Sequence, residues 1–310
     1  MKSFLIKILV FCCLFLLAVY PLICFYEYMS YKCYQVAPFD RINMIYEIKD
    51  VNADVIITGN SRADNSYSDS IISQVLGLKC LNIAWSGYPF NYQYYVMIQT
   101  YLSQNEKPKC IVQEIGPWAF LDYVGPKYTI EMMPYVNRNE FSFLKDICPE
   151  ITDWYKYRLI RYSGKIDRMI KELAYMEWQI YKKKHFPPKK IEFNKNYLGH
   201  NIDLECDTSI INLFVKYVKE CSNNNINLVF ACSPMHKEFG QNYFDMDGFW
   251  EIFNNIAKDN GITVLNYQDL FGNDTTYFTD PMHLNKYGKE YYSKKIAHDL
   301  DSMNIVPSSE

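Results

Sequence analysis

From Asp54 onward, short runs of consecutive apolar residues alternate with longer stretches in which apolar residues recur every three or four positions. DVIIT (54–58) is too short for a helix and almost wholly apolar, which predicts a strand buried on both faces. SDSIISQVLG (68–77) has helical spacing and closes on Gly77. The alternation continues with a strand at KCLNIA (79–84), a helix at NYQYYVMIQTYLSQ (91–104) and a strand at KCIVQEI (109–115). After a break it resumes with a helix at 208–222, a strand at INLVFAC (226–232), a helix at 247–261 and a strand at ITVLNY (262–267). A last helix is expected from about Asn285 to Met303. Strands alternating with amphipathic helices predict a parallel sheet covered on both faces, and right-handed crossovers make it a flavodoxin-like three-layer α/β sandwich. Ligands of such sheets bind outside the carboxyl ends of the strands, so chemistry is expected in the loops that follow them.

Two regions depart from the alternation. Residues 119–205 are helical in places and end in the Pro-Pro pair of FPPKK, which reads as an insertion forming a cap or lid. Its Lys/Arg excess fits a solvated helix face, or an anionic glycan or lipid headgroups. At the other end, Phe4 to Tyr26 carries one charge, Lys7, followed by 19 uncharged residues. That length can cross a hydrocarbon core, where only a helix satisfies its own backbone. A cleaved leader is the competing reading, but no small-x-small site follows the run. "PLIC" before Cys24 likewise lacks the small residue that a lipid-anchor site needs. Lys2 and Lys7, against Lys32 and Arg41, favour a cytoplasmic N-terminus and an external domain. The expected organisation is an anchor at 1–29, a juxtamembrane segment at 30–50 and an α/β domain at 51–305 that contains the insertion.

Composition adds little beyond excluding some classes. Apolar residues make up 49% and charged residues 22%, the balance of a folded chain rather than a disordered one. A net charge of −3 gives no argument for nucleic acid. Of ten cysteines, Cys12, Cys13 and Cys24 lie in the anchor, and the seven others are scattered without a CxxC pair. Neither a disulfide framework nor a metal site follows from that spacing.

Four predicted strand ends carry candidate chemistry: Gly59-Asn60-Ser61, NIAWSG (82–87), GPW (116–118), and the segment holding Asp280 and His283. A serine hydroxyl needs an imidazole base within hydrogen-bond reach, and the imidazole needs a carboxylate to set its tautomer. Asp280 and His283 stand three residues apart, close enough for that second contact. An oxyanion hole needs backbone N–H groups at close approach, for which the Ser61 amide and Gly87 are the candidates. Each piece also has a plainer reading: Ser61 as a helix cap, Gly87 and Asp280 as turn residues, His283 as a surface histidine, Arg62 as an exposed base. His236, in the SPMH turn after another strand, is a candidate substrate contact or an ordinary loop histidine.

On these residues the chain resembles the SGNH (GDSL-like) hydrolase superfamily, in particular a membrane-anchored branch related to alginate O-acetylation proteins and the D-alanylation protein DltD. DVIITGNSRADNSY is similar to that branch's Gly-(Ser/Asn)-Ser-Arg segment, LNIAWSGYP to its second segment, and FTDPMHLNKYGKEYYSKKIA to its closing Asp-x-x-His motif. The resemblance implies an SGNH hydrolase fold with Ser61 as nucleophile, His283 as base and Asp280 as its orienting carboxylate. It further implies an esterase or O-acyltransferase acting on acylated cell-surface carbohydrate or a small acyl ester, with no cofactor. For a transferase, it implies a membrane-bound acyltransferase partner. One position departs from the pattern. The family's third segment supplies an asparagine to the oxyanion hole, whereas this chain has QEIGPWAF there. Loss of one such donor costs roughly 10²–10³ in turnover. Asn60 or the Trp118 indole is the candidate replacement, with Asn60, Arg62, Trp118 and His236 as candidate substrate contacts. The resemblance places an arginine at Arg62, either to brace the loop or to bind a substrate carboxylate. A catalytically silent glycan-binding or assembly module is the alternative.

Overall fold

Five strands form a single parallel sheet in the order β2-β1-β3-β4-β5. They are β1 (Val55–Thr58), β2 (Cys80–Asn82), β3 (Cys110–Glu114), β4 (Asn227–Cys232) and β5 (Thr263–Asn266). This order, in a computed structural model of the chain, is the flavodoxin-like one. The described residues are 2–32, 44–87, 90–116, 118–120, 133–136, 152–185, 193, 206–239 and 246–304. The Pro-Pro pair of FPPKK, Arg41, Pro117 and the YP of LNIAWSGYP lie outside them. Contacts divide the chain into two compact units, Met1–Tyr46 with Gly125–Lys189, and Glu47–Val124 with Lys190–Glu310.

The second unit holds the sheet. Every residue of β1 and β3 is buried, as their unbroken apolar runs require. One face packs Val55, Ile57 and Val112 against Tyr67, Ile72, Tyr292, Ile296 and Leu300. A cluster of aromatic rings that includes Phe230 of β4 also lies in this unit, with Phe214 at 4.8 Å from Phe90, 5.4 Å from Phe230 and 5.5 Å from Phe253. The helices Asp69–Leu76, Thr208–Asn223, Met246–Asn260 and Lys286–Ser302 fall within a residue or two of their predicted spans. Gly77 takes the left-handed conformation, φ 65°, that ends the first of them. The helical run from Phe90 to Gln104 contains a π-type segment, Gln93–Ile98, of which five residues are buried.

Two short elements escape the periodic pattern, and both position the candidate site. A helix, Ser61–Ser66, starts immediately after β1 with Asn60 as its N-cap, the Asn60 Oδ1 accepting from the Arg62 amide at 3.0 Å. Ser61 is therefore the first helical residue and not the cap. A tight antiparallel pair, β6 (Phe278–Asp280) and β7 (His283–Leu284), precedes the last helix.

In the first unit, the helix Lys2–Lys32 is two things in sequence. Large apolar side chains from Phe4 to Leu17 are exposed, whereas Val19, Ile23 and Tyr26 are buried. Glu27 receives Arg158 at 2.8 Å and the buried Arg161 at 3.0 Å, and the Tyr26 hydroxyl donates to Glu172 at 2.7 Å. Of the expected insertion, Gly125–Lys189 groups with this helix, whose partners include Arg158–Arg161 and Ile166–His185.

Gly59 controls the exit from β1. Its φ is +150°, and a Cβ there would lie 2.6 Å from the Glu114 Cβ and 2.9 Å from the Ala63 Cβ. Backbone strain and overpacking each cost about 1–3 kcal/mol, so Gly59→Ala is expected to destabilise this unit by about 2–4 kcal/mol in urea unfolding.

Candidate active site

Ser61 and His283 meet although 222 residues separate them, with Nε2 2.9 Å from the serine Oγ. β1 delivers the serine and the β6–β7 pair delivers the imidazole. Asp280 and His283 are direct cross-strand partners, which places the carboxylate against the ring. Nδ1 stands 3.0 and 2.9 Å from the two Asp280 oxygens. Oδ1 also accepts the amides of Met282 at 2.9 Å and His283 at 3.1 Å. Burial alone would raise the Asp280 pKa, but the His283 ring and these amides hold it below its ordinary value. An ionised carboxylate only accepts, so Nδ1 carries the hydrogen and Nε2 is left to take the serine proton.

The residues after His283 explain their own spacing. Asn285 caps the last helix, accepting from Tyr287 at 2.9 Å and Gly288 at 3.1 Å. Its amide donates back to Thr276 at 2.7 Å and Phe278 at 3.2 Å, clamping the pair to the helix. A Cβ on Gly288 would come within 2.3 Å of the Tyr277 carbonyl oxygen. The Asp-x-x-His-x-Asn-x-x-Gly pattern thus holds the imidazole at a set height above Ser61.

The second segment reaches the serine through backbone bonds that extend the β1–β2 pairing, Ile83 donating to Ile57 and Trp85 to Gly59, both at 2.8 Å. Asn82 braces it by donating to the Ala63 and Tyr67 carbonyls at 3.1 and 3.3 Å. Ser86 donates to Asp64 at 2.7 Å. Gly87, at φ +82°, then lines a cleft of about 170 Å³ together with Asn60, Ser61, Trp118, Met282 and His283, and with Arg62. Trp118 stacks on Phe239 at 6.0 Å, and Met235 packs with Phe239 behind Trp118 and Met282.

Arg62 is not an exposed base, and it braces the loop while also lining the cleft. It is 1% exposed, and its guanidinium turns inward, bonding the Ser233 carbonyl and standing 3.5 Å from Glu114. Glu114 also accepts from the Tyr67 hydroxyl and the Ser233 hydroxyl at 2.7 Å each, and from the Ser233 amide at 3.2 Å. Burial pushes the Glu114 pKa up, against the pull of Arg62 and these hydrogen bonds. Gly116 makes room for the pair, since a Cβ there would lie 2.9 Å from the Arg62 Nη1. His236 does not line the cleft. Its amide donates to the Pro281 carbonyl at 2.9 Å, and its ring packs on Phe193 and Phe278, so it supports the imidazole loop, the plainer of its two expected roles. Glu114, Tyr67, Ser233 and Met282 were not singled out from the sequence. For Glu114 the signal was available, because a carboxylate inside a buried strand must have a partner.

No protein-family model and no curated protein sequence matches the chain. Among solved structures, the chain is similar to an acetyl xylan esterase, AlAXEase, at 12% identity and TM-score 0.40, covering 80% of this chain and 98% of that one. It is similar to a protein described as lipolytic, of the G-D-S-L family, from Desulfitobacterium hafniense DCB-2, at 12% identity and TM-score 0.39, over 79% and 98% of the two chains. A family two carbohydrate esterase from Clostridium thermocellum, in complex with cellohexaose, aligns at 9% identity and TM-score 0.39, over 83% of this chain and 66% of that one. The site stands on its own geometry.

Arg62→Met would strand the Glu114 carboxylate in the interior, an effect of about 3–5 kcal/mol in urea unfolding. The Glu114 pKa is already above its unfolded value and would rise further without Arg62. A raised carboxylate pKa adds stability below about pH 4.3 that is lost as pH rises through the folded value. The deficit of Arg62→Met is therefore expected to widen from acid toward neutral pH, and Glu114→Gln in the same background to recover part of it.

Proposed function

We propose that the protein is a serine esterase or O-acyltransferase that forms an acyl-Ser61 intermediate on short acyl esters of carbohydrate. The observation that carries the reading is the continuous contact from Ser61 through His283 to Asp280, assembled at the switch point of the sheet. In the first half-reaction, the Ser61 Oγ attacks the ester carbonyl as Nε2 of His283 takes its proton. The resulting imidazolium returns that proton to the departing alkoxide, leaving the acyl group on Ser61. Water, or a sugar hydroxyl deprotonated by the same nitrogen, then attacks the acyl carbon and restores the serine. The Ser61 and Gly87 amides are the assigned oxyanion donors. The cleft of about 170 Å³ is smaller than the ~300–1,000 Å³ of most ligand pockets, which supports a short acyl group against Trp118 and Met282.

The absence of the third-segment asparagine supports a slow enzyme toward either acceptor; transfer to a sugar would need a site that holds the sugar and excludes water, and a membrane-bound acyltransferase would then supply the acyl group. The same absence favours a second reading, a catalytically silent glycan-binding module. A retained membrane anchor with an extracytoplasmic catalytic domain completes the proposal. Lys2–Ser30, whose most apolar 18-residue stretch has mean hydropathy 2.8, is long and apolar enough to cross a membrane or to act as a signal sequence. Retention is supported by Glu27 and Tyr26, whose removal would leave Arg161 and Glu172 without these partners inside the fold.

Treated with a fluorophosphonate, the full chain is expected to gain one adduct by intact mass, mapped to Ser61 and absent in Ser61→Ala. Failure of the folded protein to react would leave the silent module. Where an adduct forms, Asp280→Asn is expected to lower acetyl-ester turnover by roughly 10⁴, and an oligosaccharide acceptor separates transfer from hydrolysis. Alkaline carbonate washing of membranes tests the anchor, the full-length chain being expected to stay with the lipid.

A further inference from the structure

Within the first unit, Lys2 to Ala18 is an exposed helix, apolar except for Lys2, Ser3 and Lys7 in its first two turns, and at about 1.5 Å per residue it spans about 26 Å. With those lysines reaching back to the headgroups, that approaches the hydrocarbon thickness of a thin bilayer, about 27–30 Å. In a bilayer crossed by this stretch, Tyr20 would fall where headgroups begin, a depth that tyrosine and tryptophan favour. A distant piece of chain meets the helix at this level. Arg158 reaches the Tyr20 hydroxyl at 3.3 Å through Nη1 and Glu27 at 2.8 Å through Nε. Arg158 begins the short helix Arg158–Arg161, which follows the 3₁₀ turn Asp153–Lys156.

What this segment shows to solvent is unusual for a turn. Trp154 is 64% exposed and Tyr157 50%, and Leu159 and Ile160 are exposed beside them. The Trp154 and Tyr157 rings lie 6.1 Å apart, and the Lys156 ammonium sits 5.1 Å from the Tyr157 ring. From Asp153 to Lys165 the chain has four bases, Lys156, Arg158, Arg161 and Lys165, against the single acid Asp153. Aromatic and branched apolar tips with flanking cations match the bilayer interface, where rings sit among headgroups and long basic side chains reach phosphates.

The geometry points to Trp154–Ile160 as an interfacial wedge that seats in the headgroup layer of the membrane crossed by the Lys2–Ala18 helix. The inference rests on the retained anchor proposed above. The wedge gives the anchored unit a second point of attachment, held to the first by Arg158 and Arg161 through Glu27. Arg158 and Arg161 tie the wedge to the helix, and Lys156 lies on the Tyr157 ring beside the exposed apolar tips. The occupant is the bilayer surface, because the patch is continuous with the apolar helix through the Arg158–Tyr20 contact.

The test uses the full-length chain in vesicles of mixed zwitterionic and anionic phospholipid carrying bromine at shallow or deep acyl positions. Tryptophan fluorescence is expected to be quenched more by shallow than by deep bromine. Trp154→Phe should reduce that quenching at least about twofold, while Trp178→Phe, on the helix Ile166–His185 of the same unit, leaves most of it in place. Trp154 makes little buried contact, so the thermal midpoint should not change. A chain that stays embedded after carbonate washing but shows no Trp154-dependent quenching overturns the wedge and leaves the anchor intact. Quenching carried by Trp178, or protection of Trp154 by a crosslinked second copy, overturns it as well. Release of the chain by carbonate removes the anchor and the wedge together.

Discussion

A charged pair in the driest part of the sheet, Arg62 with Glu114, is the contact on which the rest of the candidate site depends. Arg62 follows the serine directly, Glu114 ends β3, and Ser233 follows β4. One guanidinium and one carboxylate therefore join the ends of three parallel strands, with Tyr67 and Tyr292 extending the network to the last helix. A pair so buried adds little net stability over apolar residues of the same size, but breaking it is costly. Its effect is geometric. It leaves the serine helix one orientation relative to the neighbouring strand ends.

The imidazole is positioned by a different device. Four hydrogen bonds from Asn285 and the missing Cβ of Gly288 lock the β6–β7 pair to the helix behind it. His236 and the Pro281 carbonyl support the same loop from below. Ser61 and His283 thus stand on separately braced pieces, and the 2.9 Å between them reports the fit of those pieces. Such bracing is what a site needs when it does little rearranging during the reaction.

Periodicity in the sequence was enough to read the strands and long helices, since two-sided burial makes a strand continuously apolar. It was not enough for Ser61–Ser66 or the β6–β7 pair, which are too short for a period to show and exist because of caps and tertiary contacts. The meeting of Ser61 with His283 was legible through motif spacing. For Arg62, bracing of the loop was one of two roles the motif left open, but its partner was not legible, because an arginine after a turn reads as exposed until that partner is known. Glu114 held that clue, a lone acid in CIVQEI. His236 misled for the opposite reason, as its place after a strand end matched that of a ligand contact while its ring was needed for packing.

Trp118 and Met282, which are not members of the Arg62–Glu114 pair that braces the serine helix, line the cleft. Their rear support is the apolar contact with Met235 and Phe239. On the proposed reading, the wall that would meet the acyl group and the brace that aligns the serine helix are built from different residues. Substitutions at Trp118 and Met282 would then reshape that wall in small steps while the brace is kept, so the scaffold would be open to change in the esters it accepts.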